Sequence, residues 1–309
     1  MQGWMIALTV VACVILIIAV AFFAGSFIAF EKVLGRRNKP GKGDPEDYGI
    51  DIKWFDDLKD STEVVEIKAY DGVDLRALLI KQSGERAAAR VAVCQHGYSA
   101  TPRSMQAQAK IFYDRGFDVL LPAARGHSIS GGKYVGMAWI DRFDILRWTD
   151  KVVSVYGSSV EIALVGVSMG GASVVAAAGM NPPSQVKCLI DDCGFSSQRE
   201  EYLACLKKVR LPKSLALLPL AVGVRLKLGY SIADADIVPL ARNVSVPSLF
   251  IHGESDKFVP YELGVKLYEA CGAADKALYS VPGAAHACAY VKDPQKYTDT
   301  VGEFIDRVF

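Results

Sequence analysis

Residues 162–171 read Ile-Ala-Leu-Val-Gly-Val-Ser-Met-Gly-Gly, and a run of small residues follows them as far as Ala178. The apolar start is typical of a buried strand, and the small residues favour a helix. Between them lies a Gly-x-Ser-x-Gly pattern, which in a strand–turn–helix context forms a nucleophile elbow. Glycine suits the outer positions because a Cβ at Gly166 or Gly170 would collide with neighbouring backbone. The pattern also occurs by chance, so Ser168 is a candidate nucleophile only if the rest of the chain supplies its partners.

Strand and helix patterns alternate around this stretch. An antiparallel pair comes first, with strands at residues 62–70 and 73–80 joined by an Asp71-Gly72 turn. Alternating strands and helices predict an α/β fold, a mostly parallel sheet with helices on both faces. Further strands are predicted at 90–94, 117–121, 186–190, 246–251 and 276–281, and helices at 50–61, 102–115, 138–156, 260–271 and 294–308.

The interval between Gly194 and Val244 breaks this alternation. It contains only helical stretches, at residues 198–209, 213–228 and 234–242. We interpret residues 196–242 as a helical cap over the carboxyl ends of the strands. Its middle stretch is rich in leucine, which fits either packing against the sheet or an apolar lid over an acyl pocket.

A serine hydroxyl needs a base within hydrogen-bond reach, and the base needs an orienting carboxylate. In this arrangement the order along the chain is serine, acid, histidine. His286 follows the last predicted strand, in a loop of small residues, and is our candidate base. His96 and His252 are interpreted as structural.

The candidate acid is Asp256, in the polar loop after the strand at 246–251. Glu254 in the same loop is an alternative. The pair Asp191 and Asp192, after the preceding strand, is another.

An oxyanion hole requires two backbone N–H donors. The amide of Met169 directly follows the nucleophile and is one candidate. The amide of Tyr98, in the loop after the strand at 90–94, is the other. Arg125 and His127 belong to a polar turn at the rim of the site, and we expect them to be structural rather than substrate contacts.

The N-terminal segment is a candidate membrane anchor. Residues 1–30 contain no charged side chain, and about 20 apolar residues suffice to cross a bilayer. A cleaved signal peptide is the alternative, but it needs a basic start and a shorter apolar run. We predict an anchor at 1–31, a linker at 32–49 and a single domain at 50–309. Basic residues after the anchor favour a cytoplasmic domain.

Composition limits the possible partners. The formal net charge is +1 and the only basic cluster follows the anchor, so nucleic acid is not an expected partner. The seven cysteines are scattered and odd in number, which favours free thiols in a reducing compartment over a disulfide framework or zinc site. No metal or organic cofactor is implied, and the oligomeric state cannot be predicted.

With these residues in place, the chain resembles the α/β-hydrolase superfamily over about residues 60–309. It is most similar to the serine-aminopeptidase-type (S33) and BEM46-like hydrolases, which often have an N-terminal membrane segment. The resemblance implies a triad of Ser168, Asp256 and His286, with Tyr98 and Met169 at the oxyanion hole. It rests on five motifs in order: His96-Gly97-Tyr98, Arg125-Gly126-His127-Ser128, Gly166–Gly171, His252–Pro260 and Gly283–Ala287.

The expected protein is therefore a membrane-anchored serine hydrolase. The apolar cap and the anchor favour an ester or thioester with an acyl or lipid-like group. An S33-like aminopeptidase is the alternative, and a non-catalytic binding module on the same fold is a third hypothesis.

Overall fold

The computed structural model describes residues 2–37, 53–58, 61–82, 89–206 and 212–309. Eight strands form one sheet in the order β1-β2-β4-β3-β5-β6-β7-β8. β2 is antiparallel to both β1 and β4, and the other neighbours are parallel. The strands are β1 (Thr62–Lys68), β2 (Asp74–Ile80), β3 (Arg90–Gln95), β4 (Asp118–Pro122), β5 (Glu161–Val167), β6 (Val186–Asp192), β7 (Ser248–Gly253) and β8 (Lys276–Val281).

Helices cover both faces of this sheet, as predicted. Along β3, Val91 and Val93 belong to one hydrophobic core, whereas Ala92 and Cys94 belong to the other, because successive side chains of a strand point to opposite faces. The α-helices are α1 (Gln2–Leu34), α2 (Lys53–Asp57), α3 (Gln106–Tyr113), α4 (Asp141–Tyr156), α5 (Met169–Ala178), α6 (Gln198–Cys205), α7 (Lys213–Leu228), α8 (Val238–Ala241), α9 (Tyr261–Ala270), α10 (Ala289–Lys292) and α11 (Pro294–Val308).

Several predicted helices are shorter in the structure. The helix predicted from residue 138 begins at Asp141, because Met137 and Ala138 both have positive φ angles that a right-handed helix cannot contain. The first turn of the helix predicted at 102–115 is a separate 3-10 helix, Pro102–Met105. Only α2 represents the helix predicted at 50–61, of which residues 50–52, 59 and 60 lie outside the described part. The short helix α10 was not predicted.

Helix α1 is longer than a bilayer requires. Its 33 residues span about 50 Å, whereas a hydrocarbon core is about 30 Å thick. Among the described residues it is the one helix long and apolar enough to cross a membrane. It is exposed along most of its length, but Ser26, Phe30 and Leu34, which recur at every fourth position near its end, are buried against the domain.

The chain after α1 is attached to the domain. Arg37 donates its amide to the Gly126 carbonyl at 2.7 Å, and the Leu34 carbonyl accepts the Val135 amide at 2.8 Å. Residues 32–37 of the predicted linker thus complete α1 and form backbone contacts. Residues 38–49 lie outside the described part.

Candidate active site

Ser168 lies at the sharp turn between β5 and α5. Its backbone has φ 57° and ψ −118°, a region that non-glycine residues rarely occupy. A Cβ on Gly166 would collide with the Gly170 carbonyl, and one on Gly170 would collide with the Gln95 carbonyl. The two glycines are therefore required for the close packing that presents the Ser168 hydroxyl above the sheet.

The loop after β8 brings His286 to this serine. Its Nε2 lies 2.9 Å from Ser168 Oγ, and its Nδ1 lies 2.7 Å from Asp256 Oδ2. The three predicted triad side chains are thus joined by two hydrogen bonds, although the residues are far apart in sequence. This geometry suits proton transfer from the serine to the imidazole, while the catalytic roles themselves stay predictions.

Asp256 is held as a carboxylate. Its Oδ1 accepts the amides of Phe258 and Val259, at 2.8 and 2.9 Å, so the loop backbone fixes its position. Burial acts to raise its pKa, but hydrogen bonds from His252 and His286 outweigh burial and lower the pKa to about 2. Asp256 therefore stays ionised at neutral pH and can stabilise an imidazolium at His286.

His252 is a second neighbour of this acid, which the sequence did not indicate. Its Nε2 lies 3.0 Å from the Val259 carbonyl and 3.4 Å from Asp256 Oδ2. Burial disfavours its charged form, but the hydrogen bonds to Asp256 and Val259 prevail and the pKa is raised. His252 thus helps to hold the loop that carries the acid.

The alternative acids have other partners. Asp191 Oδ1 accepts the Gly194 amide at 2.9 Å, and Asp192 Oδ2 accepts the Tyr297 hydroxyl at 2.9 Å. Burial raises the pKa of Asp191 to about 7 and that of Asp192 to about 6. Glu254 is exposed. These environments favour Asp256 as the partner of His286.

The two predicted oxyanion donors belong to backbone segments close to the nucleophile. Met169 begins α5, and the first amides of a helix have no carbonyl partner within it. A Cβ on Gly97 would lie 3.3 Å from Ser168 Cβ, so the backbone leading to Tyr98 borders the serine. The arrangement is compatible with an oxyanion hole at these amides.

The remaining motif residues are structural in their contacts. His96 Nε2 accepts the Ala124 amide at 3.0 Å, and His127 Nε2 accepts the Ser99 amide at 3.1 Å. Burial lowers the pKa of His96 to about 3 and that of His127 to about 4, so both rings are neutral. Buried Arg125 forms ion pairs with Asp144 at 2.6 Å and Asp71 at 2.7 Å.

Cys193 is the other reactive group near the triad. Its Sγ lies within 4.8 Å of ligand atoms of Asp256 and His286. Burial, together with nearby carboxylates, raises its pKa well above the ordinary value, so it remains a thiol. A thiol is a poor nucleophile and a poor metal ligand, which leaves Ser168 as the candidate nucleophile.

An apolar cavity of about 300 Å³ adjoins the triad. Phe258 lines it and also contacts the His286 ring, with centroids 4.9 Å apart. Its other walls come from the cap, from the loop after β3 and from α1, and include Ala29, Val33, Tyr98, Leu217 and Leu220. Residues of the predicted cap thus line the cavity, which is compatible with the interpretation of this cap as an apolar lid over an acyl pocket.

Comparisons with known proteins agree with this fold. The family model described as serine aminopeptidase, S33, matches residues 86–218 and 220–293. YqkD of Bacillus subtilis (strain 168) is 30% identical over 224 residues, which are 71% of each chain.

Solved structures share the same fold. The Pyrococcus furiosus esterase Pf2001 superposes with a TM-score of 0.66 at 19% identity, covering 89% of this chain and 99% of its own. Est1E of Butyrivibrio proteoclasticus, with ferulic acid bound, gives 0.64 at 22% identity, covering 79% and 98%. With the family match over most of its length, the chain belongs to the serine aminopeptidase S33 family of α/β-hydrolases.

Proposed function

We propose that the chain is a serine hydrolase that cleaves carboxylic esters or thioesters through an acyl-enzyme. The observation that carries this proposal is the continuous chain of hydrogen bonds from Ser168 through His286 to Asp256. A fixed, ionised acid behind a correctly oriented imidazole is the arrangement that activates a serine hydroxyl.

In the first half-reaction, Ser168 Oγ attacks the acyl carbonyl and its proton passes to His286 Nε2. The amides of Met169 and Tyr98 stabilise the oxyanion. The bond to the leaving group then breaks, and His286 protonates the departing alkoxide or thiolate. Water repeats the sequence on the acyl-enzyme and releases the carboxylic acid, with Asp256 ionised throughout.

An acyl substrate is favoured by the pocket. The cavity beside the triad is lined mainly by apolar side chains, and its volume of about 300 Å³ is at the lower end for ligand sites. Such a pocket suits one acyl chain of moderate length better than a peptide or a whole two-chain lipid.

An aminopeptidase is the second candidate, favoured by one specific observation. Glu201 lines the same cavity, and a carboxylate there could bind the free ammonium group of a peptide. Glu201 already contacts Cys205, whose Sγ lies 3.3 Å from Glu201 Oε1. Because this carboxylate already has a partner, we rank the aminopeptidase below the esterase.

We further propose that α1 anchors the enzyme in a membrane with the domain in the cytoplasm. Helix α7 packs against α1, and its Leu215, Leu218 and Leu226 are exposed, as expected near a lipid surface. Loss of α1 by cleavage would uncover the surface that Phe30 and Leu34 occupy, which argues against a signal peptide. Protease treatment of intact cells tests the orientation, since digestion of the domain from outside would contradict it.

The substrate class is tested by comparing p-nitrophenyl acyl esters with aminoacyl anilides on the full-length protein. We expect esters to be the better substrates, with Glu201→Gln retaining ester hydrolysis. Preference for the anilides, abolished by Glu201→Gln, would establish the aminopeptidase instead.

A further inference from the structure

We propose that the last turns of α1 are part of the substrate-binding site, and that Ala29 and Val33 determine which acyl groups the enzyme accepts. This inference rests on the proposed serine hydrolase function. It assigns to the anchor helix a role in specificity besides attachment to a membrane.

The first observation is the composition of the acyl cavity. Ala29 and Val33 of α1 line it together with Leu217 and Leu220 of α7. Both α1 residues are one turn apart, so they lie on the same side of the helix. They form the part of the cavity wall that α1 contributes.

The second observation is that α1 is packed tightly enough to form a fixed wall. A Cβ on Gly223 of α7 would lie 2.6 Å from Phe30 Cβ and 3.1 Å from the Ser26 carbonyl. The two helices therefore lie so close together that a larger residue at position 223 would clash with α1. Phe30 at this contact is completely buried, as is Leu34 one turn further along α1.

The third observation connects α1 to the predicted oxyanion loop. Tyr98 donates its hydroxyl to the Val33 carbonyl at 2.6 Å. Arg37 donates to the same carbonyl at 2.9 Å and also to the Tyr98 hydroxyl. Val33, which lines the cavity, thus also holds the side chain of Tyr98, and Tyr98 belongs to the loop that borders Ser168.

A wall made of alanine and valine sets the depth of an apolar pocket. Larger side chains at these positions would fill the space available to the distal carbons of an acyl chain, whereas smaller ones would extend it. One methylene in a hydrophobic pocket changes selectivity by roughly tenfold or more. Acyl-length preference should therefore follow the size of residues 29 and 33.

The test uses full-length protein in detergent and p-nitrophenyl esters from acetate to dodecanoate. We expect Ala29→Phe to lower the ratio of kcat/KM for long against short esters by roughly tenfold or more. Val33→Ala should move the optimum towards longer chains. Ile28→Phe, on the exposed side of α1, is the matched control and should keep the wild-type profile.

The outcomes separate this inference from the proposed function. An active wild type whose length profile is the same in Ala29→Phe and Val33→Ala would overturn the role of α1 alone. A shift of equal size in Ile28→Phe would also overturn it, because the effect would then be general to the helix. A wild type that neither hydrolyses any ester nor reacts with a fluorophosphonate would overturn the serine hydrolase itself.

Discussion

The Tyr98 hydroxyl donates a hydrogen bond of 2.6 Å to the backbone carbonyl of Val33. This bond joins the end of the N-terminal helix to the loop that borders Ser168. Burial raises the pKa of the Tyr98 hydroxyl and outweighs the lowering effect of Arg37, so it remains a neutral donor. The end of α1 and the loop that borders Ser168 are therefore directly connected.

Removal of that hydroxyl tests the connection. In Tyr98→Phe the Val33 carbonyl loses one of its two donors and keeps the other, Arg37, at a cost of about 1 kcal/mol in stability. We expect kcat for ester hydrolysis to fall roughly tenfold with a smaller change in KM, because a displaced oxyanion donor weakens transition-state binding. Tyr70→Phe, at an exposed tyrosine in the β1–β2 turn, is the control. Equal kinetics in both variants would contradict the role of Tyr98.

The acid of the triad is tested by a pair of variants in one loop. Asp256→Asn removes the charge that orients His286 and stabilises its protonated form, so kcat should fall roughly a thousandfold or more. Glu254→Gln alters an exposed residue two positions earlier and should stay within about twofold, as surface changes usually do. Steady-state hydrolysis of one ester measures both, and a larger loss in Glu254→Gln would assign the acid to that residue.

The packing of α1 on α7 is tested with two glycines. Alanine normally stabilises a helix by about 1 kcal/mol over glycine, and Gly25→Ala has open space around it. At Gly223 the added methyl would meet Phe30, and such overpacking costs about 1–3 kcal/mol. We expect Gly223→Ala to lower the apparent Tm in detergent and Gly25→Ala to maintain or raise it. A higher Tm in Gly223→Ala would show that the helices are not in close contact.

Stability should fall as the pH rises through the neutral range. Burial raises the pKa of Asp141 and Asp191 to about 7 and that of Asp192 to about 6, while contacts to Asp256 and Val259 raise that of His252. Each group then binds more protons in the folded than in the unfolded state. Its contribution to the free energy of unfolding is therefore lost as the pH rises through its pKa in the folded state.

Asp256 acts in the opposite sense, because its pKa of about 2 makes its contribution disappear only in strong acid. We therefore expect the apparent Tm to be highest near about pH 5 and lower near about pH 8. Asp191→Asn, which keeps an acceptor for the Gly194 amide, should flatten this dependence. A Tm that rises steadily up to pH 8 would contradict the assigned protonation states.

The fold could be predicted because its signals are local. The apolar run before Ser168, the glycines on either side of it and the succession of strands can each be recognised from short stretches of sequence. The start of α4 could not be predicted, since no sequence pattern indicates the positive φ angles at Met137 and Ala138, whereas its end at Tyr156 was predicted.

The candidate triad residues could be selected because each follows a different strand, in a loop with few other residues that could take the same role. The approach of His252 to Asp256 depends on how the loop folds back, and the sequence carries no clear signal for it. The contact between Val33 and Tyr98 joins segments 65 positions apart. Small residues allow close contact between helices. Ser26 and Ala29 on α1 and Gly223 on α7 are such residues, and they were the sequence signal that could have indicated the packing of α1 on α7.

The most direct test of the serine hydrolase is covalent labelling of the full-length protein with a fluorophosphonate, followed by peptide mapping. The wild type should be labelled at Ser168, and Ser158→Ala, at an exposed serine, should be labelled equally. Ser168→Ala should not be labelled, and its ester hydrolysis should fall to background. Undiminished labelling or hydrolysis in folded Ser168→Ala would contradict Ser168 as the nucleophile.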